Sequence, residues 1–422
     1  MLAAFHLSFF HLLAAMLTLA AIFGYLNHKF LHLPRTIGML IGALFLSVVL
    51  IIWDVIFPNY LIRPWATELL KQAEFSSALL DGALSFLLFA AALSVSFEDL
   101  WQRKGVILLL ATLGVMVSVV LMGFGMWIVF GLLGIAMPLS WCLVLGAIAS
   151  PTDPIAVTAT LERIGLPRRL SATIAGESLL NDGVGVLIFA LLIGIAAGGG
   201  EDITVGHFLS LFALEAVGGA VLGLGGGYIA YLAMRRIDEH DVEVMISLAL
   251  VTLTYSIAGA LGMSGPIAVV IAGVFVGSRA RERAMSEKTR QYVDVVWSVI
   301  DEVLNSLLFL AIGLEIVVVE ASLPLFVAAL AAALLSLLAR IVSVGPLSFM
   351  IGTRPYTGTL VVLTWAGLRG GISIALALSL PESDHRQAIL AACYGIVLFT
   401  ILLQGLTLAP VARYFFPGKG RH

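Results

Sequence analysis

Long apolar stretches separated by short polar breaks follow one another along the whole 422-residue chain. A helix needs about 20 apolar residues to cross the hydrocarbon core of a bilayer, and most of these stretches have that length. The pattern predicts about thirteen transmembrane helices, and hence an all-α polytopic membrane protein. The predicted bounds are 5–27, 36–57, 77–97, 105–132, 138–161, 169–197, 204–234, 243–261, 264–278, 293–319, 322–350, 357–380 and 387–415.

The distribution of basic residues tests this helix count. Alternate loops of a membrane protein differ in Lys and Arg, and the cytoplasmic loops are enriched. Of the 23 basic residues, 18 fall in one set of loops and only 3 in the other, while Arg340 and Arg369 lie inside helices. The asymmetry predicts a multi-pass inner-membrane protein with its N-terminus outside and its C-terminus in the cytoplasm. The first stretch has no basic region or A-x-A site, so we expect it to remain as a helix.

Composition excludes several classes of protein. The chain is 60% hydrophobic and 12% charged, against roughly 25% charged residues in a soluble domain. Two cysteines in apolar stretches and eight scattered histidines predict neither a disulfide framework nor a metal cluster. There is no P-loop and no basic cluster, so we expect no cofactor, no nucleotide and no nucleic-acid partner. Membrane lipid is the expected environment, and ion gradients are the expected source of energy.

Two predicted helices carry interruptions. Residues 150–154, Ser-Pro-Thr-Asp-Pro, break the fifth helix, and residues 367–371, Gly-Leu-Arg-Gly-Gly, loosen the twelfth. An offset of seven helices puts the two units in opposite orientations, as inverted repeats require. Paired interruptions of this kind indicate the binding site of a transporter. The alternative is a simple proline kink, although the first interruption also contains an aspartate, Asp153.

The sixth predicted helix contains acidic residues far from either end. Glu177 and Asp182 are too deep to reach the interface, and intramembrane ionisable residues are functional candidates by default. Asp182 and Ser178 are four residues apart and share one helix face, while Glu177 and Asn181 share the adjoining face. Hard cations prefer oxygen ligands. A carboxylate, a hydroxyl and the carbonyls freed by the broken fifth helix therefore predict a cation site.

The two intramembrane arginines need partners, because an isolated buried charge is costly. Glu177 is the expected partner of Arg369, in a structural ion pair that leaves Asp182 available. Arg340 is expected to have a structural role by bonding backbone carbonyls. Glu302 and Asn305 are ambiguous, since this part of the tenth helix can simply lie near the inner interface.

Three motifs together resemble the NhaP-type bacterial sodium/proton antiporters and the related eukaryotic sodium/hydrogen exchangers. They are residues 149–154 (Ala-Ser-Pro-Thr-Asp-Pro), 176–183 (Gly-Glu-Ser-Leu-Leu-Asn-Asp-Gly) and 364–371 (Thr-Trp-Ala-Gly-Leu-Arg-Gly-Gly). The resemblance extends over essentially the whole chain. It implies a homodimer in which each protomer has a dimerisation domain and a mobile six-helix core containing two crossing discontinuous helices, the fifth and the twelfth.

The resemblance also implies roles for individual residues. Asp182 would bind cation and proton alternately, with Ser178 and the Thr152 carbonyl as further ligands. Asp153 would balance the ends of the broken helices, and Glu177 would pair with Arg369. Asn181 followed by Asp182, rather than two aspartates, resembles the branch that exchanges one cation for one proton.

One position departs from the family pattern. Many relatives carry an acidic residue in helix 3 after a Leu-Phe step, whereas here Leu88-Phe89 is followed by Ala90-Ala91. Water or another side chain must take that place, so the preference among Na⁺, Li⁺ and K⁺ does not carry over.

The predicted domains follow the family arrangement. Residues 1–104 and 235–320 form the dimerisation side, and residues 105–198 and 321–422 form the core, which ends in a short cytoplasmic tail. Residues 199–234 form the linking helix.

The predicted function is antiport of a monovalent cation, Na⁺ or alternatively Li⁺ or K⁺, against H⁺ by alternating access. Exchange is expected to be electroneutral and to serve sodium and pH homeostasis. A passive cation channel, a membrane-embedded hydrolase and an organic-anion symporter are the alternatives. A hydrolase is disfavoured because there is no H-E-x-x-H motif and no histidine near Ser178 in sequence. A channel normally forms its pore between several subunits, and a symporter would need more basic residues at the membrane midplane.

Overall fold

The computed structural model describes residues 9–57, 82–153, 157, 164–198, 205–315 and 322–417, which form helices joined by turns. We number the helices in chain order. The first seven are α1 (Phe9–Leu26), α2 (Arg35–Ile56), α3 (Leu84–Ser94), α4 (Phe97–Leu132), α5 (Leu139–Ile148), α6 (Arg168–Ala197) and α7 (Val205–Met234). The others are α8 (His240–Ala260), α9 (Gly265–Phe275), α10 (Glu287–Glu315), α11 (Leu323–Ser348), α12 (Tyr356–Trp365), α13 (Gly371–Leu378) and α14 (Arg386–Phe415).

Each predicted span contains at least one of these helices, which confirms the all-α fold class. Within the described ranges, nine helices are long and apolar enough to cross a membrane. The start of the predicted third helix (77–81), most of the second half of the fifth (154–161), and the loop residues Arg63 and Lys71 lie outside the described residues. The total of thirteen spans therefore stays a prediction.

Two helices begin well before their apolar stretches. α4 begins at Phe97 rather than 105, with Glu98 and Asp99 in its first turn, and α10 begins at Glu287 rather than 293. Acidic side chains favour a helix N-terminus through the helix dipole. Polar turns therefore continue these helices beyond the apolar stretch that predicted them.

At both predicted interruptions the described backbone leaves the helical conformation. α5 ends at Ile148, and residues 150–153 are not helical; α12 ends at Trp365, and α13 begins only at Gly371. The first break, residues 150–153, contacts the second, residues 366–370, because the Asp153 N–H donates to the Leu368 carbonyl at 2.8 Å. A carbonyl freed by the second break therefore has a hydrogen-bond donor in the first break, as buried polar groups require.

Apolar side chains cover the outside of the molecule as well as its interior. Phe10 on α1, Phe45 on α2, Leu214 and Val221 on α7, and Phe326 on α11 are all more than 60% exposed. Each such side chain would cost about 1.5–3 kcal/mol in water relative to burial, whereas lipid solvates it well. These faces, together with the long apolar helices, indicate a multi-pass membrane protein.

Candidate functional site

The two breaks and α6 meet inside the molecule, and glycines allow this close approach. A Cβ on Gly185 of α6 would lie 2.7 Å from the Pro151 Cγ atom, so α6 leaves room for the first break. A Cβ on Gly370 in the second break would lie 2.5 Å from the Asp153 Oδ2 atom. The first break is therefore held between α6 on one side and the second break on the other.

A buried polar network joins α6 to the first break through Thr152. The Thr152 hydroxyl lies 2.9 Å from the Ser178 hydroxyl and accepts a 2.7 Å hydrogen bond from the Asn181 amide. In return, the Thr152 backbone N–H donates to the Asn181 Oδ1 atom at 3.3 Å. Since the network holds both the backbone and the side chain of Thr152, it fixes the unwound segment against α6.

Glu177 forms a buried bidentate ion pair with Arg340 of α11. The Arg340 Nη1 and Nη2 atoms lie 2.5 and 2.7 Å from Glu177 Oε1 and Oε2, and the Asn181 amide also donates to Oε1 at 3.0 Å. Such two-point pairing is among the stronger interactions of a carboxylate. The predicted pair between Glu177 and Arg369 is therefore wrong, because Arg340 takes both carboxylate oxygens.

Arg369 has a different set of partners. Its Nη1 atom donates to the Pro151 carbonyl at 2.9 Å and also to the Ser150 carbonyl. Its backbone N–H donates to the Thr400 hydroxyl of α14 at 3.2 Å. Two carbonyls that were expected to be free for a cation are thus occupied by the guanidinium. The physical reason is position: Arg369 lies within the second break, which faces the first.

Arg340 also makes the kind of carbonyl contact predicted for it, but as a secondary interaction. Its Nη2 atom lies 3.4 Å from the Leu363 carbonyl of α12. A Cβ on Gly367 would lie 2.7 Å from the Arg340 Nε atom. The glycine at this position of the second break therefore leaves the space through which the guanidinium reaches Glu177.

Asp182 is 1% exposed, and within the described part of the chain no hydrogen-bond donor reaches its Oδ1 atom. It lines a cavity of about 30 Å³ together with Thr152 and Asp153. One water needs roughly 10–15 Å³ measured in this way, so the cavity can hold a small ion with little else. Ser178 does not line the cavity; it lies behind Thr152, against which its hydroxyl is bonded.

The formal charges of this region nearly cancel. Three carboxylates, of Glu177, Asp153 and Asp182, face two guanidiniums, of Arg340 and Arg369. With Asp182 ionised the group carries one net negative charge, which a single proton or monovalent cation neutralises. Because uncompensated buried charge is costly, the cluster favours binding of one such ion.

The opposite wall of the cavity contains a residue whose role the sequence left ambiguous. Asn305 of α10 lines the cavity, along with the apolar side chains of Leu87, Leu88 and Ala91 from α3. The nearby Glu302 instead pairs with Arg35 at the start of α2. The signal available in the sequence was the four-residue spacing of Asp301 and Asn305, which places both on one face of the helix.

The known proteins to which this chain is similar are sodium/proton exchangers. A family model described as "Sodium/hydrogen exchanger, transmembrane" matches residues 17–414. The chain is 41% identical over 415 residues to the Na⁺/H⁺ antiporter NhaP of Pseudomonas aeruginosa, covering 97% of each protein. It is 33% identical to the Na⁺/H⁺ antiporter NhaH of Halobacillus aidingensis, covering 82% of this chain and 86% of that one.

The fold is likewise similar to a solved structure. The sodium proton antiporter MjNhaP1 of Methanocaldococcus jannaschii at pH 8 matches with a TM-score of 0.73 and 20% identity, over 97% of this chain and 99% of that one. The family resemblance of the three sequence motifs is thereby confirmed over nearly the full length. This chain belongs to the sodium/hydrogen exchanger family.

Proposed function

We propose that this protein is a secondary active antiporter that exchanges Na⁺ for H⁺, with Asp182 as the group that carries both ions. The observation that carries the proposal is the Asp182 Oδ1 atom, which is buried at a cavity and has no hydrogen-bond donor within the described residues. Both nearby guanidiniums are committed elsewhere, Arg340 to Glu177 and Arg369 to backbone carbonyls. Asp182 is thus the carboxylate left to be neutralised by a transported ion.

The charge balance supports exchange of one cation for one proton. A second ion of either kind would leave the cluster of three carboxylates and two guanidiniums with a net positive charge. Thr152 and Asp153 line the cavity beside Asp182 and can supply further oxygen ligands. In this scheme Ser178 and Asn181 act mainly by holding Thr152. Asp153, which donates its N–H to the Leu368 carbonyl, offsets the partial charges at the ends of the broken helices.

Transport would follow alternating access, with helices of residues 105–198 and 321–422 moving as a core against residues 1–104 and 235–320. Residues 199–234 would link the two, and the dimerisation side would join two copies into a homodimer. The N-terminus would lie outside and the C-terminus in the cytoplasm of the inner membrane. Paired broken helices around one site are the usual arrangement for such rocking motions.

The geometry of this site does not favour a hydrolase. The Ser178 hydroxyl is bonded to the Thr152 hydroxyl, and none of the described residues that line the cavity is a histidine that could serve as its base. A cation channel requires a continuous open path, whereas the cavity beside Asp182 has a volume of about 30 Å³. The exchanger function therefore accounts best for the geometry.

The test is exchange by the purified protein in liposomes, with Asp182→Asn compared against Asp241→Asn. The Asp241 side chain is 86% exposed and far in sequence from the site, so Asp241→Asn is a control that removes one carboxylate away from the cavity. We expect Na⁺-driven proton movement to fall to the level of empty liposomes for Asp182→Asn and to remain at the wild-type rate for Asp241→Asn. Exchange by Asp182→Asn at near the wild-type rate would contradict the assignment.

A further inference from the structure

The face of α10 that looks onto the cavity carries three aligned side chains. Asp301, Asn305 and Leu308 are spaced by four and three residues, which places them on one stripe of the helix. Asn305 and Leu308 line the cavity, and a Cβ on Gly371 would lie 2.8 Å from the Leu308 Cδ1 atom. The start of α13 therefore packs directly on this stripe, and α10 closes the site from the side opposite α6.

The orientation of the Asn305 amide follows from its hydrogen bonds. Its Nδ2 atom donates to the Asp301 carbonyl at 3.0 Å and to the Asp301 Oδ1 atom at 3.2 Å. Both partners are acceptors, so the nitrogen, not the oxygen, must face them. Within the described part of the chain no donor bonds to the Asn305 Oδ1 atom. That oxygen is left as the polar atom that Asn305 presents to the cavity.

We propose that Asn305 Oδ1 is a ligand for the transported cation, supplied by α10, and that Asp301 positions it. This inference rests on the proposed exchange function. Amide oxygens are good ligands for hard cations, and Asn305 lines the same cavity as Asp182, Thr152 and Asp153. The ion would thus be held from both walls, by a carboxylate on one side and a neutral oxygen on the other.

The proposal also identifies what occupies the place of the acidic residue missing from helix 3. Of the two alanines, Ala90 and Ala91, that follow the Leu-Phe step in this chain, Ala91 lines the same cavity and has no side-chain oxygen. Asn305 adds an oxygen without adding a charge, so the cluster keeps the single net negative charge that one cation neutralises. An acid at position 91 would bring a second negative charge to the cavity.

The experiment measures the apparent KM for Na⁺ and the maximal rate of the full-length protein in liposomes. Asn305→Ala removes the oxygen, Asn305→Asp keeps an oxygen ligand, and Ser306→Ala is the control on the next residue, which does not line the cavity. We expect Asn305→Ala to raise the KM about tenfold, equal to about 1.4 kcal/mol, with the maximal rate within about twofold. We expect Asn305→Asp, which keeps an oxygen but loses the donor to Asp301, to have a KM between those of Asn305→Ala and the wild type, and Ser306→Ala to match the wild type.

Three further variants separate ligand binding from simple structural damage. Asp301→Ala removes the side-chain acceptor of the Asn305 amide, whereas Asp301→Asn retains an oxygen acceptor, so only the first is expected to raise the KM clearly. Ala91→Asp in the Asn305→Ala background restores an oxygen to the cavity and is expected to lower the KM again. If Asn305→Ala does not yield folded protein, Asn305→Ser, which has a shorter hydroxyl side chain, serves in its place.

The outcomes distinguish this inference from the function on which it rests. A wild-type protein without Na⁺-dependent proton movement overturns the proposed function itself. A wild-type protein that exchanges normally, with an unchanged KM for Asn305→Ala, overturns the ligand role alone. Equal KM increases for Asn305→Ala and Ser306→Ala would show a general disturbance of α10 and would also overturn it.

Discussion

The two walls of the cavity differ in how they treat charge. On the core wall, built from α6 and the two breaks, acidic and basic groups are dense: Glu177 is paired with Arg340, and Arg369 bonds the Ser150 and Pro151 carbonyls. On the facing wall, Leu87, Leu88, Ala91 and Leu308 are apolar, and the polar member is the neutral Asn305. The carboxylate oxygen that has no hydrogen-bond donor among the described residues, Asp182 Oδ1, therefore belongs to the core wall.

This difference shows how a membrane protein can keep one carboxylate available for ion binding among several buried ionisable groups. Buried charges are stable only when partners or hydrogen bonds compensate them. The guanidiniums compensate all but one charge of the core wall, while the Asp301 carboxylate of the facing wall is bonded to the Asn305 amide and does not line the cavity.

The largest expected effect comes from breaking the Glu177–Arg340 pair. Arg340→Gln leaves Glu177 as an uncompensated buried charge, which costs about 3–5 kcal/mol in soluble proteins. The double variant Glu177→Gln with Arg340→Gln should recover most of this loss. The measurement is the free energy of unfolding, or the thermal midpoint, of the purified protein in detergent.

Arg369 provides the comparison that makes this test specific. Arg369→Gln should also destabilise, because it leaves the Ser150 and Pro151 carbonyls unbonded. Combining it with Glu177→Gln should give a smaller coupling energy than the Glu177–Arg340 pair does, since Glu177 and Arg369 do not share a hydrogen bond. A larger coupling energy for Glu177 with Arg369 than with Arg340 would contradict the pairing described here.

The contact between the breaks should be sensitive to a single methyl group. Gly370→Ala places a Cβ 2.5 Å from Asp153 Oδ2, so either Asp153 or the second break must shift. Overpacking of this kind typically costs about 1–3 kcal/mol, and the displaced Asp153 should lower the exchange rate as well. Gly194→Ala on α6 is the control, because open space surrounds its Cβ position. Equal exchange rates for both variants would show that the packing of the breaks does not matter for transport.

Much of this architecture was predictable from the sequence, because its signals are local. The apolar stretches gave the helices, and the proline- and glycine-rich segments gave both breaks, at residues 150–153 and 366–370. Burial of Asp182 and its share in the cavity also followed, since its depth in a long apolar helix allows little else. These features depend on the length and spacing of residues along one helix.

The errors concern contacts between helices that are distant in sequence. Glu177 was predicted to pair with Arg369 and is paired with Arg340 instead, because nothing in the spacing along α11 or the second break fixes which arginine faces α6. The position of Asn305 at the cavity was left ambiguous for the same reason: its spacing from Asp301 defines a face of α10 but not what that face contacts. Ser178 shares a helical stripe with Asp182 but is turned to Thr152 instead of the cavity.

Competition between proton and cation should shape the response to pH. If both ions neutralise Asp182, then lowering the pH raises the apparent KM for Na⁺, because protons occupy the carboxylate. The limit of this effect is about tenfold per pH unit for one competing proton. The KM and the maximal rate should be measured at several pH values, with equal pH on both sides of the liposome. A KM that stays constant while only the maximal rate changes would place pH control at a group other than Asp182.

The smallest expected effect is that of membrane potential, which should be nil. If Asp182 alone binds H⁺ or Na⁺, the core wall carries the same net charge with either ion, and Asn305, the polar side chain that α10 adds to the cavity lining, is neutral, so each half of the cycle is expected to move equal charge. Movement of one net charge would couple to voltage at about 2.3 kcal/mol per 100 mV. A potassium diffusion potential of either sign, imposed on liposomes of known internal volume, should leave the exchange rate unchanged.

The variant Asn305→Asp extends this test, because it adds a carboxylate to the facing wall. Its exchange should become voltage-sensitive if that carboxylate also binds an ion. A voltage-dependent rate in the wild type would mean that a second group, with Asp153 the nearest carboxylate at the cavity, changes its charge along with Asp182.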